Sequence, residues 1–532
     1  MDSSAPLQTA NRQIVRAAGT VMAAFIFSNL VGLARGVVVT NAFGTSVDLD
    51  AFNGANRIAE LLFNLVAGGA LASAFVPTFT GFLTRTDSRG AWRLASAVVN
   101  LVFLVLALVS TLAAFLAPQI VRYILFMLVP DFNPSQQALT VALLRIMLPS
   151  VAIFSVSGLL MGVLNAHQIF LIPAVAPAMY SLGMIFGTLA LSPCIGIAGL
   201  AWGVVIGASL HLLVQLPSLF KLKGVNYQLT LGFGNRVVGE VIRLMAPRVL
   251  GVAVVQLNFI VNTIIAFSLP EGSVSAVTWA FTLMLMPQMA IAQSAAIAAL
   301  PTFSAQVARG RLEDMRSSLA ATLRVVLLLA LPASVGLILL RYPLVALLYQ
   351  RGAFTPHSTE MVAWALLWYS AGLVGHSLVE IVSRAFYALH DTRTPVKVGV
   401  VAMGLNVVLS LGFSKWFAAI GWMPHGGLAL ANTTATALEM VVLLALMRRR
   451  LHGMEGARLW LGLRQTAAAA LAMGLAVQGW LWAVGSMNKL VGLAGGVVIG
   501  VAVYVLAVYL LRVPEVISVL RMAAARLKRS WR

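Results

Sequence analysis

The sequence predicts an all-α polytopic membrane protein of about 14 transmembrane helices. Two parallel six-helix repeats would form N- and C-terminal lobes around a central cavity, with two extra C-terminal helices. Three observations carry that prediction. The 532 residues are 60% hydrophobic and only 10% charged, with a mean hydropathy of +0.94, where a soluble chain would be about one quarter charged. Apolar runs of about 20 residues recur between short polar turns, as helical spans require, and the period-2 alternation of a membrane barrel is missing. The chain also repeats itself. Pro77, Thr78, Phe79 and Arg85 fall on Pro301, Thr302, Phe303 and Arg309 at a shift of 224, and Pro134, Ala166 and Pro173 on Pro356, Ala388 and Pro395 at a shift of 222. Such a period covers six helices, an even number, so both halves point the same way; parallel repeats with a path between them are a transporter signature.

Taken in order, the expected spans are 15–43, 48–80, 94–118, 138–164, 169–192 and 195–219, which form the N-lobe within 1–219. The segment 220–237 reads as a basic, mildly amphipathic cytoplasmic linker on the inner membrane surface or, equally, as a solvated linker. The C-lobe, 238–450, holds spans 238–269, 273–303, 319–340, 358–389, 394–414 and 426–447. Region 451–512 adds spans 462–484 and 489–511 outside the repeat, and 513–532 is a basic cytoplasmic tail. Pro287 and Pro332 are expected to bend their helices, as is Pro247, while Gly32 and Gly68-Gly69 would permit close helix approach.

The net charge of +20 does not point to nucleic acid, because the basic residues gather at alternate turns. Arg85, Arg89 and Arg93, then Lys221 and Arg236, then Arg309, Arg311 and Arg316, then Arg393 and Lys397, and finally Arg448-Arg449-Arg450 fall on one side. The positive-inside rule makes that side, and both termini, cytoplasmic. Helix 1 has a short basic lead-in without a small-residue cleavage site and reads as retained. The single cysteine, Cys194, offers no intramolecular disulfide, and the histidines (167, 211, 357, 376, 390, 425 and 452) lack metal or HExxH spacing. No phosphate loop is present, so no metal or cofactor is expected. Energy would come from a proton or monovalent-cation gradient, the membrane potential or a partner.

The first two spans are the unusual ones. MAAFIFSNLVGLARGVVVTNAFG (22–44) carries Ser28, Asn29 and Arg35 inside an apolar run. An arginine there costs about 2.5–3.5 kcal/mol on insertion scales, so it needs a wet cavity or an ionic partner. The next span spreads Asp50, Asn53, Asn56, Arg57, Glu60 and Asn64 along its length. Two such helices in a row imply a hydrophilic cavity. Arg35 and Arg57 are the candidates for gripping an anion, since guanidinium binds phosphate through two parallel hydrogen bonds. The competing reading pairs Arg35 with Asp48, Asp50 or Glu60, and Arg57 with Glu60 three residues on; Asp50 and Glu60 would then act as gating ion pairs. Asn29, Asn53 and Asn64 would contact sugar or phosphate, or else bond between helices. Glu380 and Glu439 are lone acids in later spans, each a proton or cation site or a partner for a base such as Arg384.

These residues resemble the MurJ/MviN lipid II flippases of the multidrug/oligosaccharidyl-lipid/polysaccharide exporter superfamily. The resemblance runs along nearly the whole chain: SNLVGLARGVVVTNAFG, LDAF and SAFVPTF, then SGLLMGVLNAHQIFLIPAVAP (157–177), LPTFS (300–304), YQRGAFT (349–355) and HDTRTPVKV (390–398). It implies fourteen helices, two lobes, a cationic central cavity and export of the undecaprenyl-linked peptidoglycan precursor. Arg35 matches one cavity arginine of the family and Arg57 sits where it often has a base. Asn29, Asn64 and Thr282 stand where the best-known members carry arginine, and Gly68 where they carry glutamate. A sodium site of some members needs acids in the C-lobe; here Asn406 and Ser410 occupy helix 11 without a nearby aspartate.

The expected function is therefore translocation of lipid II from the inner to the outer leaflet of the bacterial cytoplasmic membrane by alternating access. Partners would be lipid II or a related polyprenyl-diphosphate glycan, membrane lipids and cell-wall synthesis proteins. Alternatives are export of another polyprenyl-linked glycan or an amphiphilic drug, a membrane enzyme using a lipid-linked donor, or a non-transporting scaffold of cell-wall assembly. The enzyme reading needs an essential acid or histidine near a large external loop, and the external turns are short.

Overall fold

Where the expected spans fall on described residues they lie in helices of the computed structural model, which describes residues 24, 26–66, 70–85, 87–129, 133–222, 224–232, 234, 236–485 and 489–513. No strand occurs among these residues. Among the described residues eleven helices are long and apolar enough to cross a membrane alone, and a twelfth span arises if the pair Pro356–Ala371 and Leu373–Ala388, bent by 45°, counts as one. Phe75–Thr84 and Gln256–Phe267 are shorter apolar helices. Gly68, Gly69, the first 23 residues and the tail from 514 lie outside the described residues, as does the side chain of Pro247.

The chain divides into two compact units, 1–271 with 351–354 and 272–350 with 355–532. Unit 1 contains α1 (Ile26–Phe43), α2 (Val47–Val66), α3 (Ala70–Thr84), α4 (Ser88–Phe115), α5 (Pro134–Ala166), α6 (Leu171–Ile195), α7 (Ala198–Leu213) and α8 (Arg236–Phe267). Helix α8, expected to open the C-lobe, packs here because Gly54 on α2 leaves room for the Phe267 ring, which also meets Phe126 at 5.1 Å. The GAFT turn joins unit 1 as well: the Ala353 N–H donates to the Asn41 carbonyl at 2.9 Å. Gly352 (φ +55°) lies against that carbonyl and Gly44 (φ +61°) against the Ala353 carbonyl, so a side chain at either would meet both strain and backbone.

Polar caps start the helices. Asp87 accepts from Gly90 N–H at 2.8 Å before α4, and Asn133 accepts from Ser135 N–H at 3.0 Å before α5. Phe75 and Phe79 anchor the unit 1 core with Trp92 and Leu106, all but removed from solvent. Beyond a short helix at Leu216–Phe220, residues 225–232 of the linker form no regular secondary structure, are largely exposed, and are tied to α4. Asn100 Nδ2 donates to the carbonyls of Gln228 (3.0 Å) and Thr230 (2.9 Å), and Ser96 Oγ accepts from Gln228 N–H at 3.0 Å. Side-chain partners on α4 satisfy backbone groups that a helix would have satisfied internally.

Unit 2 comprises α9 (Ser273–Ala308), α10 (Leu312–Tyr349), α11 (Pro356–Ala371), α12 (Leu373–Ala388), α13 (Arg393–Ala419), α14 (His425–Arg450), α15 (Gly456–Val484) and α16 (Lys489–Leu510). A π-helical turn at Met289–Gln293 follows Pro287, the expected bend. Phe303, which the repeat places on Phe79, is fully buried in its own core with Phe386 and Met447. The two extra helices pack on α10: Gly496 lies against Leu340, and the Tyr504 hydroxyl donates to the Leu328 carbonyl at 2.6 Å.

The HDTRTP stretch is a helix start. Asp391 accepts from the Thr394 N–H (3.0 Å) and hydroxyl (2.8 Å) ahead of α13. Those bonds from Thr394 hold the carboxylate below its usual range, against the opposing pull of burial. A depressed folded pKa gives stability that is present above the unfolded value and is lost as pH falls through the folded one. Asp391→Ala is expected to cost about 1 kcal/mol. A lowered midpoint in thermal unfolding near neutral pH, shrinking toward zero in acid, checks it.

Candidate functional site: a polar cavity in unit 1

Helices α6 and α7 meet through glycines spaced four apart, and this closeness sets the site. Gly183 and Gly187 on α6 lie against the backbone of Gly199, Gly203 and Gly207 on α7, as small-residue packing in membranes allows. That contact fixes the α6 face carrying Tyr180 and Met184, one turn apart. Helix α1 lies on the same face. The buried Ser28 hydroxyl donates to the Ala174 carbonyl at 2.7 Å. Arg35, seven residues on and so on the same side of the helix, reaches Met184 Sδ at 3.6 Å with its guanidinium carbon 5.7 Å from the Tyr180 ring centre. Among the described residues no carboxylate pairs with Arg35. The expected pairing with Asp48, Asp50 or Glu60 is therefore replaced by a sulfur and an aromatic face, both neutral.

Arg57 behaves as its spacing predicts. Its Nη1 lies 2.9 Å from Glu60 Oε2, while Asn56 Nδ2 donates to Glu60 Oε1 at 2.9 Å. The Arg57 guanidinium carbon also stands 5.1 Å from the Phe259 ring centre on α8. Glu60 is thus held by two neighbours on its own helix, and both it and Arg35 lie within electrostatic reach of Tyr180.

Between α2, α5, α6 and α7 lies a cavity of about 360 Å3, lined by Asn56, Glu60, Asn64, Phe154, Gly158, Tyr180 and His211. Of the expected residues, Glu60 and Asn64 reach its wall; Asn56 joins them, and Arg57 borders it through Glu60. Asn53 is half-buried one turn before Arg57, and Asp50 is buried at the start of α2 with its N–H on the Ser46 carbonyl. Asn29 does not come in. Six residues separate it from Arg35, a rotation of about 240°, and it is exposed on another side of α1.

At the end of the cavity, sequence reading missed a buried polar cluster. Gln215 Nε2 donates to Ser157 Oγ at 2.6 Å, and Ser157 Oγ lies 2.6 Å from His211 Nδ1. Ser157 thus joins the Gln215 amide to the His211 ring in one buried chain of hydrogen bonds. The only local signal was His211 and Gln215 at i, i+4. Unit 2 has a comparable link, His376 Nε2 to Asn432 Oδ1 at 2.9 Å.

The expected coupling residues lie in unit 2. Glu380 accepts from Arg384 at 2.8 Å and is paired. Asn406 is buried and accepts from Ser410 at 3.3 Å. Glu439 is half-buried against Gly399 of α13, and it and Arg384 lie within electrostatic reach of Tyr387. No cluster of three metal-ligating side chains occurs among the described residues.

A multi-span helical protein with a cation-bordered polar cavity inside a helix bundle has the build of a membrane transporter. The chain matches the profile of the family described as lipid II flippase MurJ over residues 39–493, and it belongs to that family. It is 33% identical over 446 residues to the lipid II flippase MurJ of Burkholderia cenocepacia, covering 82% of this chain and 84% of that one. Against the probable lipid II flippase MurJ of Vibrio cholerae it is 29% identical over 525 residues, covering 95% and 97%. In fold it is similar to a solved lipid II flippase MurJ in an inward closed conformation, with a TM-score of 0.78, 24% identity, and 92% and 97% of the two chains covered. A multidrug resistance MATE family transporter of the MOP superfamily follows at a TM-score of 0.67 and 15% identity, covering 82% and 98%.

Proposed function

We propose that this protein translocates lipid II, the polyprenyl-linked peptidoglycan precursor, from the inner to the outer leaflet of the bacterial cytoplasmic membrane by alternating access. Family membership supports the substrate class. The observation that carries the mechanism is Arg35, a guanidinium inside a spanning helix whose contacts are a thioether and an aromatic face. Its charge has no carboxylate to offset it among the described residues, so a diphosphate is the natural counterion. Arg57, released from Glu60, would be the second grip. Asn53, Asn56 and Asn64 on the same helix would meet the sugar or peptide, while the polyprenyl tail stays in lipid.

Both termini are assigned to the cytoplasm by the arginine-rich turns. The energy is assigned to a proton or monovalent-cation gradient or to the membrane potential, with Glu439, a carboxylate without an ion pair among the described residues, as the group to take up a cation. Cell-wall synthesis proteins are the expected partners. Expression in bacteria depleted of their own lipid II flippase tests the reading. Restored growth at a blot-verified membrane level is the expected result. Well-inserted protein that fails to restore growth, and fails again with its native cell-wall partners co-expressed, would shift the assignment to another polyprenyl-linked glycan.

A further inference from the structure

A second hollow, apart from the polar cavity, lies between α4 and α5 and plays no part in the transport reading. It encloses about 570 Å3 and is walled mainly by apolar side chains, including Phe103, Phe115, Leu148 and Ile153. Three polar side chains break that wall, and one of them, Thr111, spends its hydroxyl on the Ala107 carbonyl at 2.7 Å. Arg145 on α5 is exposed, and its Nε donates to the Ala114 carbonyl at 3.0 Å. That bond leaves both Nη groups of the guanidinium open, and no carboxylate pairs with them among the described residues. Ser110 on α4, only 6% exposed, has a hydroxyl with no hydrogen-bond partner.

The two orphans share one hollow. The Ser110 oxygen is closed off behind the apolar wall, so the charge at the mouth is the polar group a ligand would meet. An unpaired arginine on a lipid-facing helix needs a counterion. Ala114 and Phe103 are eleven residues apart on α4, about 16 Å at 1.5 Å per residue. The hollow therefore runs from a cationic mouth a long way into apolar surroundings. Its mouth is at the end of α4 opposite Arg89 and Arg93, which under the assigned orientation faces the outer leaflet.

We propose that this hollow binds one anionic phospholipid, its phosphate on the Arg145 guanidinium and one acyl chain along Phe103 and Ile153. Inorganic phosphate would leave the apolar length unfilled. A zwitterionic lipid carries its own cation beside the phosphate and so neutralises Arg145 poorly. The site is independent of the transport reading: it stands or falls on lipid binding alone.

Native mass spectrometry of the full chain in detergent, titrated with dioleoyl-phosphatidylglycerol, tests it. One tightly retained lipid is expected, with binding at least tenfold weaker in Arg145→Gln and partly restored in Arg145→Lys. Ile153→Trp keeps the charge and narrows the hollow, so it too should bind at least tenfold more weakly while unfolding at the wild-type temperature. That variant carries the test if Arg145→Gln fails to fold. Unchanged binding in either folded variant overturns the proposal. So does equal affinity for dioleoyl-phosphatidylcholine, or displacement of the bound lipid by one equivalent of a polyprenyl phosphate.

Discussion

Arg35→Ala is expected to abolish rescue of a flippase-depleted strain while the protein accumulates in the membrane at its normal level. The reason is the company Arg35 keeps. It touches Met184 Sδ and the Tyr180 ring, so its removal strands no opposite charge, and insertion of α1 becomes easier rather than harder. What is lost is a charge-assisted grip on an anionic head, about 1.5–3 kcal/mol for one such bond, or about 10–150-fold in affinity. A bidentate contact loses more, so Arg35→Lys should fall between, keeping the charge without the planar fork. Arg57 provides the contrast. Its Nη1 is 2.9 Å from Glu60, so Arg57→Ala leaves a half-buried carboxylate unmatched and should lower both transport and thermal stability, whereas Arg57→Ala with Glu60→Gln should recover the stability but not the transport. Full rescue by Arg35→Ala at equal membrane level would remove this residue from the substrate path.

Residues whose meaning is local were legible in the sequence. Arg35 stood out because a charge in an apolar run needs a reason, and the Arg57–Glu60 and Arg384–Glu380 pairs follow from spacings of three and four. The helices themselves follow from runs of apolar residues between basic turns. Features made by distant parts of the chain were not legible. Ser157 and His211 are 54 positions apart, and nothing near either predicts the other. The linker at 225–232 is held to α4 by Asn100, more than 120 residues earlier, whose side-chain amide donates to the Gln228 and Thr230 carbonyls. Two misses were avoidable. The rotation between Asn29 and Arg35 already placed them on different faces, and Gly183, Gly187, Gly199, Gly203 and Gly207 show their spacing of four in plain sequence. The α6–α7 glycines matter for the cavity, since they position Tyr180 and Met184 opposite Arg35.

Two leucine substitutions separate the cavity from the fold that holds it. Gly183→Leu would place a Cβ against the backbone of Gly207 and near the Gly203 carbonyl at 3.0 Å. Backbone in a packed helix cannot swing aside as a flexible side chain can, so the helices must part, at a cost of roughly 3 kcal/mol or more. Parting also moves Tyr180 and Met184 away from Arg35, so transport and stability are expected to fall together. Gly158→Leu is the opposite case. A Cβ at Gly158 meets nothing within 4 Å, and the residue lines the polar cavity. Leucine is the better helix former by roughly 0.5–1 kcal/mol, so the detergent-purified protein should unfold at the wild-type temperature or slightly above. Its side chain would project into a space of about 360 Å3 beside Glu60, Asn64 and Tyr180, apolar bulk where a hydrated sugar or phosphate is proposed to pass. Rescue should then fail at full stability. Wild-type rescue by Gly158→Leu would mean that lipid II does not travel through the space between α2, α5 and α6, and that Arg35 acts on it from another side of α1.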